Sequence, residues 1–543
     1  MKIIIYAFTY LKKHPFQMAL FVLVNMVIWF AAIFLPYITG NFIDSLVKRD
    51  AMQYIYKYAF FILVVNAVNV VFQYMSDYIN NKLQNTLGFD AKYRLFKMIK
   101  KYPMKYFKDK DVVYLNELIN EDVAQIFSFV FTSIVPILTN IFTVIISVVI
   151  LLKINAVLMI ILVALIPVYI LLYKAFKTPL FKANYDMREE RNVYQAYQTS
   201  QFINVKHIKA NALFDEVDGE LYNRFIIQFK KVMRFFHLGY FFSNVGSVIM
   251  VIANVIIVFY GGYKVIDGTI TVGQFTIVNT YFNMIIQTTN FFLSFGNEYQ
   301  QTLVSYKRLT DIEGIHIENN GNIQLSEITS IELENLSFAY EDKVIINGVT
   351  YSFEKGNAYI VRGSNGAGKT TLINLMIGLY QEFDTGTVRY NGEAISNLDL
   401  YHLRHRLISI QEQDAVLFGS TVRECLTFGT DNIDQGAVSY WCNKLGVSEL
   451  IEKLPDKYET NLNEHNISFS GGEQQKLSLV RCFIKNPSVM ILDEPTSAFD
   501  AGSVEAFADL INEYKKSRIV IIITHDEALI EKIDGESINL DTI

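Results

Sequence analysis

Charge is scarce in this chain. Only 19% of its 543 residues are Asp, Glu, Lys or Arg, against 51% that are hydrophobic, and the mean hydropathy is +0.24. That is unusually apolar for a soluble protein of this size, and the apolar residues concentrate in roughly the first 300 positions. A basic excess is also missing. The net charge is −6 with no arginine-rich stripe, which removes nucleic-acid binding from consideration. Cysteine is nearly absent: Cys425, Cys442 and Cys482 are the three, an odd number that reads as free thiols and not as a disulfide framework. No small-residue cleavage site follows the N-terminal Lys2, Lys12 and Lys13, and the apolar run after Pro15 is too long for a signal peptide. Residues 1–15 therefore read as a short interfacial helix entering a first span. His402 and His405 have H-x-x-H spacing but no accompanying carboxylate or cysteine cluster, so they read as surface-helix residues and not as metal ligands.

What is present is organised around Gly363-Ser364-Asn365-Gly366-Ala367-Gly368-Lys369-Thr370. The stretch fits G-x-x-x-x-G-K-[ST], a loop whose glycines let backbone N–H groups converge on phosphate oxygens. In that chemistry Lys369 meets the β- and γ-phosphates and the Thr370 hydroxyl ligates Mg²⁺. Ala358-Tyr359-Ile360-Val361 reads as a buried strand before the loop. Thr371-Leu372-Ile373-Asn374-Leu375-Met376 reads as a helix after it, adding its dipole to the phosphate site. A nucleotide site places this half, and its thiols, in a reducing cytosol.

The apolar half holds six stretches long enough to cross a bilayer, at 16–38, 56–80, 129–152, 155–177, 238–262 and 271–297. Spans three and four are nearly continuous through Lys153-Ile154-Asn155; five and six are joined from Gly261-Gly262-Tyr263 to Gly273. Segments 81–128 and 178–234 are long and helix-patterned, with nine Lys/Arg each, against two, Lys48 and Arg49, in 39–55. The positive-inside rule puts both long segments in the cytosol. Cytosolic ATP and an even number of spans place both termini there too. Each long segment breaks near its middle: Lys105–Asp111 precedes the amphipathic Leu115–Ile119, and Ser200–Ala210 forms the second break. Such pieces suit docking into another domain, with solvated helical hairpins as the plainer alternative. The expected domains are a transmembrane domain over 1–310, a polar linker over 311–328 containing Asn319-Asn320-Gly321-Asn322, and an α/β domain over 329–543.

From Ile331 onward β-like and helical runs alternate. Val489-Met490-Ile491-Leu492-Asp493-Glu494 is an apolar strand ending in two carboxylates. Beside a phosphate loop, Asp493 falls near Mg²⁺ and Glu494 is positioned to polarise an attacking water. Ile519-Val520-Ile521-Ile522-Ile523-Thr524-His525 is a second buried strand, delivering His525 to the ligand-binding edge of a parallel sheet, where it meets the γ-phosphate. Ser470-Gly471-Gly472, with Glu473 next, opens a helix and makes a second anion-binding terminus.

Ile467-Ser468-Phe469-Ser470-Gly471-Gly472-Glu473-Gln474-Gln475-Lys476 resembles the signature motif of ABC ATPases, in which the motif of one domain closes over ATP held by the other. By the same resemblance, Tyr340 is the adenine-stacking aromatic, Gln413 the Q-loop glutamine that reaches the metal, Ser497-Ala498-Phe499-Asp500 the D-loop and Glu464 the X-loop glutamate. The whole chain resembles a half-transporter of the type I (type IV in newer schemes) ABC exporter fold, like bacterial peptide and multidrug exporters. The departures are Glu-Gln-Gln-Lys in the signature helix, where Gln-Arg-Gln-Arg is commoner, and Asn463-Glu464-His465-Asn466 in the X-loop.

The resemblance implies a multidomain protein: a six-helix all-α transmembrane domain followed by an α/β P-loop ATPase domain. It implies ATP and Mg²⁺ as ligands, with Gly363 to Thr371, Gln413, Ser470, Gly471, Gly472 and Glu473 at the nucleotide and Thr370, Gln413 and Asp493 at the metal. Two such chains, a homodimer or a pair with a related half-transporter, would make two composite sites in the bilayer. The abundant Ile, Lys, Asn and Tyr hint at an AT-rich, Gram-positive-like source, hence a bacterial plasma membrane. With no cysteine before Cys425, a fused cysteine-peptidase domain is not expected. Export is the primary expectation, with a multidrug or lipid exporter, an importer or a channel on the same fold as alternatives.

A path for substrate is suggested by periodicity. Asn279, Asn283, Gln287, Asn290, Ser294, Asn297 and Gln301 recur at steps of three or four in the sixth span, within an arc of roughly 80°. Asn66, Asn69, Gln73, Asp77 and Asn80 do the same in the second. Amides facing lipid are costly, so both faces should meet protein or water, either as a cavity wall or as interhelical hydrogen bonds. Thr288 and Thr289 lie off the stripe, and Tyr281, Phe282 and Phe291 are expected to border it. A chamber rich in amides suits a peptide or other polar amphiphile.

Overall fold

The computed structural model describes residues 2–108, 112–340, 343–364, 366–413, 415–430, 433, 435–462, 469–497 and 499–542, without some side chains inside helices, Asn297 among them. Two compact units result. The first comprises Met1–Met98 and Val112–Ile315, the second Ile99–Asp111 and His316–Ile543.

The first unit is built from long helices: α1 (Lys2–Leu11), α2 (Pro15–Val47) and α3 (Met52–Ile99, whose last residue joins the second unit). After α4 (Met104–Lys108), which lies in the second unit, come α5 (Val112–Ile154), α6 (Ala156–Ile203), α7 (Val205–Asn211), α8 (Phe214–Ile266) and α9 (Val272–Glu313). At 1.5 Å per residue, helices of 42 to 53 residues such as α9 and α8 reach about 60–80 Å, roughly twice a bilayer's hydrocarbon core. The charged segments are thus helical continuations of the apolar ones. Among the described residues α2, α3 and the Leu118–Ile154 part of α5 are long and apolar enough to cross a membrane, and Val251–Ile266 is a shorter apolar stretch. α9 packs along α5 and α2, while α6 and α8 pair chiefly with each other.

Several expectations are corrected here. Gly261 and Gly262 lie inside α8, and the turn is Asp267–Thr271. Gly261 serves packing: a Cβ there would lie 2.7 Å from the Phe275 ring. The helix α1 is a wedge and not only an interfacial anchor. Ile3, Ala7, Tyr10 and Leu11 are buried while Ile5 and Phe8 face outward, because Tyr10 packs edge-on against Phe127 of α5, and Tyr6 against Tyr306 of α9. Tyr281 and Phe282 do not border the amide stripe. Both are buried in the core that α9 shares with α2, α5 and α8, and the Tyr281 hydroxyl donates to the Ile33 carbonyl of α2 at 2.6 Å.

The N-terminus of α9 is fixed by a local Thr-x-x-Gln capping box and by a contact from α2 that no spacing announces. Thr271 and Gln274 form a capping box, and Asp44 of α2 accepts from the Thr271 hydroxyl at 2.6 Å and the Gly273 N–H at 2.7 Å. A carboxylate is favourable at a helix N-terminus. The two helices approach there through Gly40 and Gly273. A Cβ on Gly273 would sit 2.1 Å from the Gly40 carbonyl oxygen.

The linker is also shorter than expected. α9 runs to Glu313, and the Asn-rich stretch after it is bonded to the second unit. The Asn320 and Gln324 amides donate to Asp399 at 3.0 and 2.8 Å, holding that carboxyl down at about 2, and Ile323 bridges to Leu398. Amides that read as solvated spacer are spent on one carboxylate.

The second unit holds two sheets. Strands β1 (Ser330–Tyr340), β2 (Lys343–Glu354), β4 (Thr385–Tyr390) and β5 (Glu393–Ala394) form an antiparallel sheet in the order β2-β1-β4-β5. Strands β3 (Ala358–Arg362), β6 (Ile408–Gln411), β7 (Val489–Asp493), β8 (Ile519–Ile523) and β9 (Glu536–Asn539) form a parallel one in the order β6-β7-β8-β3-β9. Continuous β-branched runs such as Ile519–Ile523, buried throughout, are what a strand covered on both faces requires.

Candidate active site

Strand order decides what meets at the sheet's C-terminal edge. β8 lies between β3 and β7, and Val361, Ile523 and Asp493 are aligned across the three. The phosphate loop after β3, the carboxylates ending β7 and the Thr524-His525 pair after β8 therefore share one edge, where ligands bind in open parallel sheets. The loop's Gly363, Gly366 and Gly368 have φ of 150°, 89° and 93°, values that L side chains avoid. A helix (Lys369–Met376) follows directly. The Lys369 ammonium donates to the Gly363 and Ser364 carbonyls at 2.7 and 3.1 Å. Thr370 is exposed and Thr371 buried. Asn365 lies outside the described residues, as do Glu464, Ile467, Ser468 and Ala498.

Glu494 is not the last residue of the strand but the first after it, with φ of 49°. A left-handed conformation costs a non-glycine residue about 1–2 kcal/mol, and such strain gathers at functional sites. It is held by the Glu494 N–H donating to Ile523 at 2.8 Å, while the carboxylate accepts from the Thr524 hydroxyl at 3.1 Å and the His525 N–H at 3.2 Å. The Asp493 carboxyl is pushed up by burial and by the Glu494 charge, against the pull of Lys369. The His525 side chain is exposed.

The signature helix (Gly471–Lys485) starts at Ser470, whose side chain accepts from the Glu473 N–H. Glu473 reciprocates, accepting from the Ser470 N–H and hydroxyl at 2.8 Å each. The terminus expected to attract an anion thus carries a carboxylate of its own. Gly471 and Gly472 follow in its first turn. Gln413 is exposed. In the D-loop, Asp500 caps the next helix through the Ser503 N–H at 2.8 Å. His402 places its Nε2 3.1 Å from the Leu325 carbonyl.

Sequence reasoning missed three neighbours of these motifs. Asp541 accepts from the Ser364 N–H and hydroxyl, both at 2.8 Å, bracing the phosphate loop from the chain's last described turn. Lys108, in α4, places its ammonium 4.0 Å from the Tyr340 ring centroid; that ring also meets Phe338 and Tyr380 edge-on. Gln475 bridges three of the motifs and is taken up below. None of these contacts follows a local spacing, so no sequence signal marks them.

Two family models match the chain. One describes the ABC transporter transmembrane region and covers residues 18–289; the other, ABC transporter, covers residues 346–497. The chain belongs to the ABC transporter family. It carries the family's transmembrane region fused to its ATP-hydrolysing domain. Relatives include an ATP-dependent lipid A-core flippase of Syntrophus aciditrophicus, 30% identical over 282 residues, or 51% of this chain and 47% of that one. The matched part thus spans about half of that relative. A putative multidrug export ATP-binding/permease protein of Bacillus subtilis is 24% identical over 97% of this chain and 92% of its own length. The structure of a bacterial Atm1-family ABC exporter with ATP bound matches with a TM-score of 0.83 at 19% identity, covering 98% of this ABC transporter chain and 94% of that one. The fold is therefore that of an Atm1-type exporter.

Proposed function

We propose that the chain is one half of an ATP-driven exporter, acting as a homodimer in a bacterial plasma membrane with both termini in the cytosol. One chain supplies one phosphate loop and one signature motif, so two chains complete two sites, and closed symmetry favours identical partners. The site residues fit a magnesium nucleotide: a cradle of left-handed glycines follows β3 on the sheet edge where β7 ends in Asp493, and Thr370, Asp493 and Gln413 offer hard oxygen donors. Bound there, Mg²⁺ would neutralise charge on the phosphates. Lys369 binds the β- and γ-phosphates, Glu494 polarises the attacking water, and His525 contacts the γ-phosphate. Tyr340 stacks on adenine, and Ser470, Gly471, Gly472 and Glu473 close over the nucleotide of the partner chain. Closure of the two ATPase domains drives the membrane half from inward- to outward-facing.

Lys108 competes with adenine for the Tyr340 ring. A cation–π contact at a half-exposed site is worth about 0.5–1 kcal/mol, so Lys108→Ala should tighten ATP binding about 2- to 5-fold. Titration with a fluorescent ATP analogue measures this; weaker binding by the variant would reverse the assignment.

The transported molecule is a peptide or other polar amphiphile. The observation behind this is the stripe on α9, where Asn283, Gln287, Asn290 and Ser294 are exposed within the single chain and Asn279 is half-buried. Thr288 turns the other way, buried and donating to Asn140 at 2.8 Å. A multidrug or lipid exporter is the second reading, favoured by the names of the relatives. In a background without Cys425, Cys442 and Cys482, cysteines at the four exposed positions should react with a water-soluble thiol reagent, at rates altered by ATP trapping. Protection of all four with reaction at 288 and 289 would put the cavity on the opposite face and remove the case for a polar cargo.

A further inference from the structure

Gln475 lies in the second turn of the signature helix, 5% exposed, and nothing above gives it a role. Its carboxamide is spent on three segments distant in sequence. Nε2 donates to the backbone carbonyls of Gln413 and Glu494, each at 3.4 Å. Oε1 accepts from the Ser497 hydroxyl at 2.8 Å. Carbonyl oxygens only accept, so the NH₂ side must face them and the amide orientation is fixed by its partners. Only a side chain with two donors and an acceptor at this length satisfies all three.

The three partners belong to the Q-loop, the end of β7 and the D-loop. The Glu494 carbonyl also receives the Ser497 N–H at 3.4 Å, so the peptide after the strained Glu494 is held by two donors. We propose that Gln475 is a positioning residue that keeps the Q-loop backbone, the Glu494 peptide and the D-loop in register with the signature helix. A displacement of that helix is then carried by one buried amide to the residue that polarises water in the same chain. In a dimer the helix serves the partner's nucleotide, so Gln475 links occupancy of one site to the geometry of the other. This rests on the reading of Glu494 as the catalytic carboxylate.

The test uses the full-length protein in lipid nanodiscs. Gln475→Glu keeps the shape but loses both donors, Gln475→Leu loses all three bonds, and Ser497→Ala removes one bond from an exposed position. Glu494→Gln is run beside them. Both Gln475 variants should lower kcat roughly 10- to 100-fold, the scale of a small misplacement near the chemistry. Metal-free ATP affinity and bound nucleotide per chain should stay within about 2-fold of wild type, with the Mg²⁺ activation constant rising several-fold because the Q-loop is released. Ser497→Ala should lower kcat about 3-fold by the same split. An unchanged kcat and Mg²⁺ dependence, or a kcat loss matched by an equal loss of bound nucleotide, overturns the proposal. If the Gln475 variants fold poorly, Ser497→Ala decides by the same criteria. Retained turnover in Glu494→Gln instead overturns the reading of the site itself.

Discussion

Glu494→Gln should bind ATP as the wild type does and lose turnover by roughly 10²- to 10⁴-fold, the range for removing a general base. The amide fits the same place. Its oxygen accepts from the His525 N–H and its NH₂ donates to the Thr524 hydroxyl, which already accepts the Asp526 N–H. The strained φ of 49° is held by the backbone bond from the Glu494 N–H to the Ile523 carbonyl and is not relieved by the change. On the proposed role of Glu494, what disappears is the negative charge that polarises the water, while the Lys369 contacts to Gly363 and Ser364 are untouched. Binding by a fluorescent analogue and phosphate release, measured on the same sample, separate the two effects. Near-normal hydrolysis would show that another group polarises the water.

Gly273→Ala should be the most damaging single methyl group in the membrane half. The new Cβ would lie 2.1 Å from the Gly40 carbonyl oxygen and 2.5 Å from the Asp44 carboxyl carbon. One neighbour is backbone and the other caps α9, so neither gives without loss. Overpacking of this kind costs about 1–3 kcal/mol, and disturbing the Asp44 cap adds about 1 kcal/mol. A lowered melting temperature and loss of monodisperse protein in detergent are the expected results. A melting temperature within about 1 °C of wild type would mean that the helices separate there at little cost. Small residues at a close helix crossing fit the usual logic of membrane interfaces, but Gly40 and Gly273 are more than 200 positions apart, and sequence shows each glycine without showing that they meet.

That difference runs through the whole chain. The phosphate loop, the apolar strands β7 and β8 and the helix-opening Ser-Gly-Gly are local patterns, and the parallel sheet brings the first three to one edge. The amide stripe of α9 was legible because 3.6-residue periodicity puts its members on one face. Tyr281 and Phe282 were misplaced because aromatic side chains next to that face still turn into the interhelical core. Residues 311–328 read as spacer because amides in water and amides on Asp399, such as those of Asn320 and Gln324, look identical in sequence. Asp541, Lys108, Gln475 and Asp44 act across 62 to 232 positions, judging by their partners Gln413, Tyr340 and Ser364 and by the α9 cap, a range in which spacing carries no information.

The membership of residues 99–108 in the second unit bears on how such proteins are dissected. A fragment begun at His316 keeps every nucleotide motif, yet it loses the Lys101 carbonyl that accepts the Glu318 N–H at 2.7 Å. It also loses the Lys105–Glu382 ion pair at 3.7 Å, the Lys101 ammonium over Tyr401 and the Lys108 ammonium over Tyr340. Such a piece is a trimmed domain whose wall beside Tyr340 and Tyr401 has been thinned. Rates and affinities measured on it describe that trimmed wall, and restoring the missing strip as a short fused peptide is the way to make the fragment a fair stand-in for the intact chain.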